Sequence, residues 1–389
     1  MPITEVGSRP FGAKRTTLLK YRIPYSPALN QRQGRPIKSV SMKACPNISA
    51  LWKGIAVIGT VVFAINAIGQ LSGIASPERE SSREKYLWPA KIPYPKDNPY
   101  SEAKFELGRT LFFDPILSGS ITRSCASCHN PRLSWGDGQS RGVGLAHEML
   151  STRCPTLLSV AWIPKLGWSG QFPDLESVAM TPITSPKMMN LPENVMIERL
   201  SAISGYVVAF NNAFHEAQID RRQVEQALAT YERSILPTSA PFDRWIDGDR
   251  TAINKSAQRG FELFNGKANC AACHSGWAFT DSSFHDVGSA QNDDVGRGKL
   301  FPNSITLRYA FKTPTLRDVA RRGPYMHDGS VPTLSAVIDL YDKGGIDRPS
   351  RAIEIYPLGL SRVEKEDLIA FLETLTGRPD VKPLPVPPR

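Results

Sequence analysis

Three stretches of the chain place apolar side chains at helical spacing. The first opens with Ser101 as an N-cap and carries Phe105, Leu107, Leu111 and Phe112, then ends at FFDPILSGS, residues 112–120. A second, in NKSAQRGFELFNGKANCAACH at residues 254–274, repeats the arrangement with Ala257, Gly260, Leu263 and Phe264. The third, SRVEKEDLIAFLETL at residues 361–375, begins with the capping box Ser361/Glu364 and lines up Leu368, Phe371, Leu372 and Leu375. No run of alternating strands is present, so the pattern predicts a mainly helical chain with long loops. Each of the first two helices leads into the same five-residue string, C-x-x-C-H, once at Cys125 and again at Cys270, 270 − 125 = 145 residues later. Such a degenerate internal repeat predicts two related domains, with a boundary near SAPFDRWIDGD at residues 239–249. The expected division is a leader over 1–75, a first domain over 76–240 and a second over 241–389.

Charge changes this picture only at the N-terminus. The formal net charge is +10, but residues 1–75 hold ten Lys/Arg against one acid, leaving 37 basic and 36 acidic residues in the remainder. The basicity belongs to the leader, which removes the case for a nucleic-acid partner. From Met42 the leader has a Lys-bearing start, an apolar stretch over residues 54–69 and small residues near Ala75, the pattern of an export signal cleaved there; a retained N-terminal anchor is the alternative. Export to the periplasm is the expectation, and Met42 is a plausible true start.

The two strings use four of six cysteines and two of six histidines. Two thiols separated by two residues can each form a thioether to one edge of a haem, and the adjacent histidine then sits under the iron. Zinc would want four ligands at compatible spacing and leaves the histidine unexplained, as does a redox dithiol. Cys125, Cys128 and His129 would therefore hold one c-type haem, and Cys270, Cys273 and His274 a second. Cys45 lies in the leader, so Cys154 reads as a buried, inert thiol.

The strings LGRTLFFDPILSGS, SCASCHNP, PFDRWIDGD, NCAACHSG and FKTPTLRDVARRGPYMHDGSVPTLSAVIDLY, in this order, make residues 99–376 resemble the bacterial dihaem cytochrome c peroxidases and their MauG-type relatives. The resemblance implies two cytochrome c-like haem domains, a first haem that reduces hydrogen peroxide with His129 as proximal ligand, and a second that transfers electrons with His274. It places Trp168 between the haems as an electron relay. It also places Tyr341 where the methionine-ligated branch has its second axial ligand, as in the MauG-type branch. A phenolate is a harder, anionic donor that stabilises oxidised iron, which implies a low potential. A histidine that caps the first iron in resting peroxidases aligns with Leu145, which implies an open iron, although His147 two residues on could swing in.

The sequence also departs from that pattern. The distal glutamate that moves a proton between peroxide oxygens aligns with Met188 and its glutamine companion with Val178, while Pro182 matches. Glu176 or Asp174 could substitute for the acid, or Met188 could itself bind the iron. The family's calcium site uses an asparagine whose position is Cys154 here, which argues against calcium. His215 reads as a residue of an amphipathic helix, and His285 and His327 as loop histidines bonded near the haems. The resemblance thus implies an exported dihaem peroxidase fed by a small cytochrome c or cupredoxin, or a MauG-like oxidase of a protein substrate, in either case a candidate homodimer. The contrasting reading is a non-catalytic dihaem electron-transfer cytochrome with both haems six-coordinate.

Overall fold

The computed structural model describes residues 84–388, and the leader and its export signal lie outside them. In the first half the helices are α1 (Glu102–Phe113), α2 (Leu175–Thr184), α3 (Glu193–Ala202), α4 (Ser204–Phe214) and α5 (Arg221–Arg233). The second half contains α6 (Pro241–Ile246), α7 (Lys255–Asn265), α8 (Leu334–Asp342) and α9 (Arg362–Glu373). Two antiparallel two-residue strands, β1 (Phe284–His285) and β2 (Phe311–Lys312), pair His285 with Phe311. The fold is mainly α, with long loops that carry most of the chemistry.

Ser101 caps α1 by accepting the Lys104 N–H, and Asn254 caps α7 by accepting the Ala257 N–H. Both helices turn a glycine toward a partner helix. A Cβ on Gly108 would lie 1.9 Å from the Ala227 carbonyl oxygen of α5, and one on Gly260 would lie 1.9 Å from the Asp367 carbonyl oxygen of α9. Backbone-to-backbone contact of this kind leaves no room for any other residue. It fixes α1 across α5 and α7 across α9, the same crossed pair built twice.

Each pair closes its own core. The first gathers Leu111, Phe112, Ile183, Leu191, Tyr206 and Val224; the second gathers Phe242, Phe264, Phe279, Leu368 and Phe371. Full burial of such side chains contributes roughly 1.5–3 kcal/mol each. Two segments cross between the halves. Tyr86, which precedes the first half, packs in the second core, and the neighbouring Trp88 donates its indole N–H to Asp243, which pairs with the fully buried Arg317 at 2.7 Å. At the other end the tail after α9 returns to the first half, where Thr238 donates to the Arg378 carbonyl at 2.6 Å. His215 lies just past the end of α4 as its left-handed C-cap, not within a helix. Among the described residues no helix is long and apolar enough to cross a membrane.

Candidate functional site: two repeated cysteine–histidine loops

Both C-x-x-C-H strings form one tight turn, Cys125–Ser127 and Cys270–Ala272, with the histidine N–H donating to the first cysteine's carbonyl at 2.9 Å in each. The imidazoles are oriented alike. His129 Nδ1 lies 3.2 Å from the Trp135 carbonyl oxygen and His274 Nδ1 lies 2.9 Å from that of Phe279. A carbonyl only accepts, so each Nδ1 carries the proton and each Nε2 keeps its lone pair for a metal. Burial pushes both imidazoles toward the neutral form. The accepting residues are bulky yet left-handed, with φ 62° at Trp135 and 52° at Phe279, a costly conformation for such side chains. A third shared contact holds them. Thr156 donates its hydroxyl to the Ser134 carbonyl at 2.7 Å, and Thr315 donates to the Ala278 carbonyl at 2.5 Å, one residue before each accepting carbonyl.

The donor set fits covalent haem. Cys125, Cys128, Cys270 and Cys273 are all unpaired thiols; burial pushes Cys125 up and Cys270 up to about 12, so they are protonated and uncharged. Around the second loop an apolar cavity is lined by Cys270, Cys273, His274, Ile338, Tyr341 and Leu372. The same cavity carries Arg153, Lys312, Arg321 and Arg322 against the single carboxylate of Glu354. An apolar slot with a cationic rim suits a flat apolar group bearing carboxylates, which describes a haem with its propionates. One cluster could instead suggest a metal ion. Cys273, Asp281 and His285 converge, with His285 Nε2 at 2.7 Å from Asp281. The sulfur of that cluster belongs to the haem-binding pair, so a thioether would remove it as a thiolate ligand.

The halves differ on the face opposite the histidine. In each, a bridged loop leads into a capped helix with the same spacing: Leu166 bridges Phe172 ahead of Asp174 and α2, and Tyr325 bridges Val331 ahead of Thr333 and α8. Counting from the helix starts, Tyr341 is seven residues beyond Leu334 and Pro182 is seven beyond Leu175. Tyr341 faces the second cavity, and burial pushes its phenol well up, so a phenolate there needs an adjacent cation. Pro182 offers no donor atom at the corresponding place. The repeat therefore places a phenol on one side of the molecule and a proline at the corresponding position on the other.

The other residues singled out in the sequence fall as follows. Leu145 donates its N–H to the Lys187 carbonyl at 2.8 Å, which brings its loop against the half-buried Met188. His147 is exposed in that loop. Val178 packs on a small core of Val160, Leu166, Leu175 and Ala229. Neither proposed substitute acid is free. Glu176 takes both arms of Arg233 at 2.7 Å and a third bond from Asn98, which hold its carboxyl below the usual range despite burial. Asp174 caps α2 by accepting the Ser177 N–H. Trp168 lines the cavity and donates its indole N–H to the Arg153 carbonyl at 2.9 Å. Cys154 is the protonated thiol expected, its pKa pushed well up by burial; its Sγ lies 3.4 Å from His129 Nδ1 and 3.7 Å from Nε2, and its side chain brings no oxygen to a calcium ion. His285 and His327 are both held by aspartates, at 2.7 Å from Asp281 and Asp294.

Sequence reasoning missed Glu232. On α5 it is 7% exposed, its Oε2 has no hydrogen-bond partner among the described residues, and burial raises its carboxyl to about 8. It acts electrostatically on Cys125, so it lies beside the first haem-binding loop. The signal was available: the Gly108 contact reaches Tyr231 and the Gly260 contact reaches Phe371, so the next residues, Glu232 and Leu372, correspond, and an acid stands where the repeat has an apolar side chain.

Comparison with known proteins agrees with this architecture. A family profile described as di-haem cytochrome c peroxidase matches residues 102–251, and one described as cytochrome c matches residues 257–376. The chain is 48% identical over 328 residues to the methylamine utilization protein MauG of Methylorubrum extorquens, covering 82% of this chain and 93% of that protein. It is 35% identical over 319 residues to the cytochrome-c peroxidase IdrP1 of Denitromonas iodatirespirans, covering 73% and 84%. A crystal structure of a MauG-like protein associated with microbial copper homeostasis superposes with a TM-score of 0.69 at 29% identity, covering 75% of this chain and 94% of that one. Two covalently bound c-type haems and chemistry on hydrogen peroxide follow from these relationships. With its doubled cysteine–histidine loops and its two crossed helix pairs, the chain belongs to the di-haem cytochrome c peroxidase family of oxidoreductases.

Proposed function

We propose that this protein is a MauG-like member of its family, in which hydrogen peroxide is the oxidant and the electrons come from a protein substrate. The observation that carries the reading is the pairing of Pro182 with Tyr341 at one position of the repeat. The haem irons supply the two-electron reduction of peroxide, which consumes two protons and releases two waters, and they hold the oxidising equivalents meanwhile. Cys125 and Cys128 tether the first haem and Cys270 and Cys273 the second. His129 and His274 present Nε2 as proximal donors, each oriented by a main-chain carbonyl. Pro182 and Leu145 leave the far face of the first site without a side-chain donor, and Met188 beside Leu145 adds an apolar side chain. Tyr341 closes the second site, and its anionic oxygen favours oxidised iron.

Trp168, between the two sites, relays electrons from the second to the first. The buried Glu232, which acts electrostatically on Cys125 and is engaged in no ion pair among the described residues, holds a proton beside the first site at neutral pH. The two halves divide at 240/241, consistent with a first core that ends at Ile235 and a second that begins again at Phe242. The chain works in the periplasm, exported by the leader. The donor is a protein at the rim of the second site, a small cytochrome c or cupredoxin being the counterpart in the peroxidase branch.

The resting holoprotein tests this reading. Electron paramagnetic resonance is expected to show one high-spin and one low-spin ferric haem, and one equivalent of peroxide is expected to alter both optical signatures together. Two low-spin signals and no response to peroxide would convert the molecule into a plain electron carrier.

A further inference from the structure

Arg153 is a buried arginine on the wall of the second cavity. It is 9% exposed, makes no ion pair among the described residues, and its Nε has no partner; burial also lowers its pKa. Asp137 raises its pKa against that burial, and Arg322 on the same cavity wall is another cation, which it pushes down in turn. A guanidinium presents a fixed fork of donors, and burial leaves them to be satisfied by acceptors in the protein or on a bound group. Here the guanidinium grips main chain. One arm donates to the Arg322 carbonyl at 2.7 Å and the other to the Pro324 carbonyl, both across the boundary in the second half. The backbone of the same residue does the rest: its N–H donates to the His327 carbonyl at 2.9 Å, and its carbonyl accepts the Trp168 indole N–H at 2.9 Å.

Trp168 is thereby held on three sides. Its indole N–H is held by Arg153, its carbonyl accepts the Lys312 N–H at 2.9 Å, and its ring sits edge-on to His327 at 6.4 Å, which in turn stacks on Phe311 at 3.5 Å. The next residue after Arg153 is Cys154, whose sulfur lies against the His129 ring. One residue therefore touches, directly or through its neighbour, the first histidine, the tryptophan and the 322–327 segment of the second half.

We propose that Arg153 is a positioning residue that sets Trp168 between the two haem sites, through a two-pronged grip on the Arg322 and Pro324 carbonyls that a lysine cannot reproduce. This rests on the relay reading of Trp168 given above. The proposal adds a cause for the tryptophan's placement, and it assigns a role to a side chain that touches neither haem-binding string.

The test compares three holoproteins, Arg153→Met, Arg153→Lys and Trp168→Phe, each first checked by mass for two attached haems. The first readout is the rate at which the second haem's spectrum responds after one equivalent of peroxide, set against the rate of the initial step at the first site. Both Arg153 variants are expected to slow the second-site response at least tenfold relative to the initial step. Wild-type behaviour in either Arg153 variant, with a slow Trp168→Phe, overturns the proposal and leaves the relay intact. A Trp168→Phe protein as fast as wild type overturns the relay itself, and the proposal with it. The second readout is a crystal structure of Arg153→Met, in which the indole N–H is expected to have left the residue-153 carbonyl; an unmoved indole overturns the positioning role regardless of the kinetics. Arg153→Lys guards against a Met variant that fails to mature.

Discussion

The two halves of this molecule are the same device built to different specifications. Both cross a pair of helices at a glycine, both hang a cysteine–histidine loop from the first helix, and both orient the histidine with a carbonyl on a left-handed aromatic residue. They part company at two corresponding positions. Tyr341 in the second half answers to Pro182 in the first, and Leu372 answers to Glu232. The lesson is that the cradle is set by backbone contacts and is conserved between the halves, whereas the chemistry is set by the few side chains that face the cofactor from the opposite wall. On the proposed reading, a ligand on one side would make a centre that stores charge, and its removal on the other would make a centre that can meet a small oxidant.

The comparison can be broken first at Pro182. Replacing it with His puts a donor where the repeat has Tyr341, and the high-spin signal is expected to vanish with a fall of about a hundredfold or more in the rate of reaction with peroxide. A high-spin signal that survives, with full reactivity, would show that Pro182 and Tyr341 do not correspond. The reverse experiment is Tyr341→Met, which exchanges an anionic donor for a thioether. Spectroelectrochemistry is expected to show the second haem's potential rising by on the order of 100 mV or more, with the first little changed. A potential that stays put would remove Tyr341 from the iron.

The shared scaffold is tested by Gly108→Ala and Gly260→Ala. Each added methyl meets a carbonyl oxygen at 1.9 Å, so denaturant unfolding should show a loss of about 2 kcal/mol or more in both variants. A large loss in only one would mean the helix crossings are not equivalent. The remaining effect sought is a pH slope from Glu232. Its folded carboxyl titrates near 8, above the unfolded value, so the native state holds the proton longer and stability falls as pH rises from about 4.5 to 8. Glu232→Leu, which copies the second half, should flatten that fall and stabilise the protein by about 5 kcal/mol at pH 9. Melting curves at pH 5 and pH 9 check this, and parallel curves for the variant and the parent protein would place the carboxyl elsewhere.

Much of the site was legible because its chemistry is local. Five consecutive residues position two sulfurs and a nitrogen, so the haem-binding strings read directly, and so did the caps Ser101 and Ser361. The substitute acids were misjudged for a physical reason. Glu176 and Asp174 look available in the string, but only folding brings Arg233 and Asn98 onto one and makes the other a helix cap. The inert thiol of Cys154 was legible, but its contact with His129 was not, because nothing in its neighbourhood along the chain points to a residue 25 positions away.

What the chain alone determined is what short-range geometry can encode: the helical periods, the caps and the duplicated attachment strings. What the tertiary structure decided is everything that needs two distant segments to meet. The left-handed turns at Trp135 and Phe279 are held by threonines 21 residues away or more, 156 − 135 = 21 and 315 − 279 = 36. The grip of Arg153 on Arg322 and Pro324 spans more than 160 positions, 322 − 153 = 169. The difference is one of entropy: local contacts form at little cost in chain freedom and leave a visible pattern, whereas contacts between distant segments become favourable only when the packed core has already brought them together.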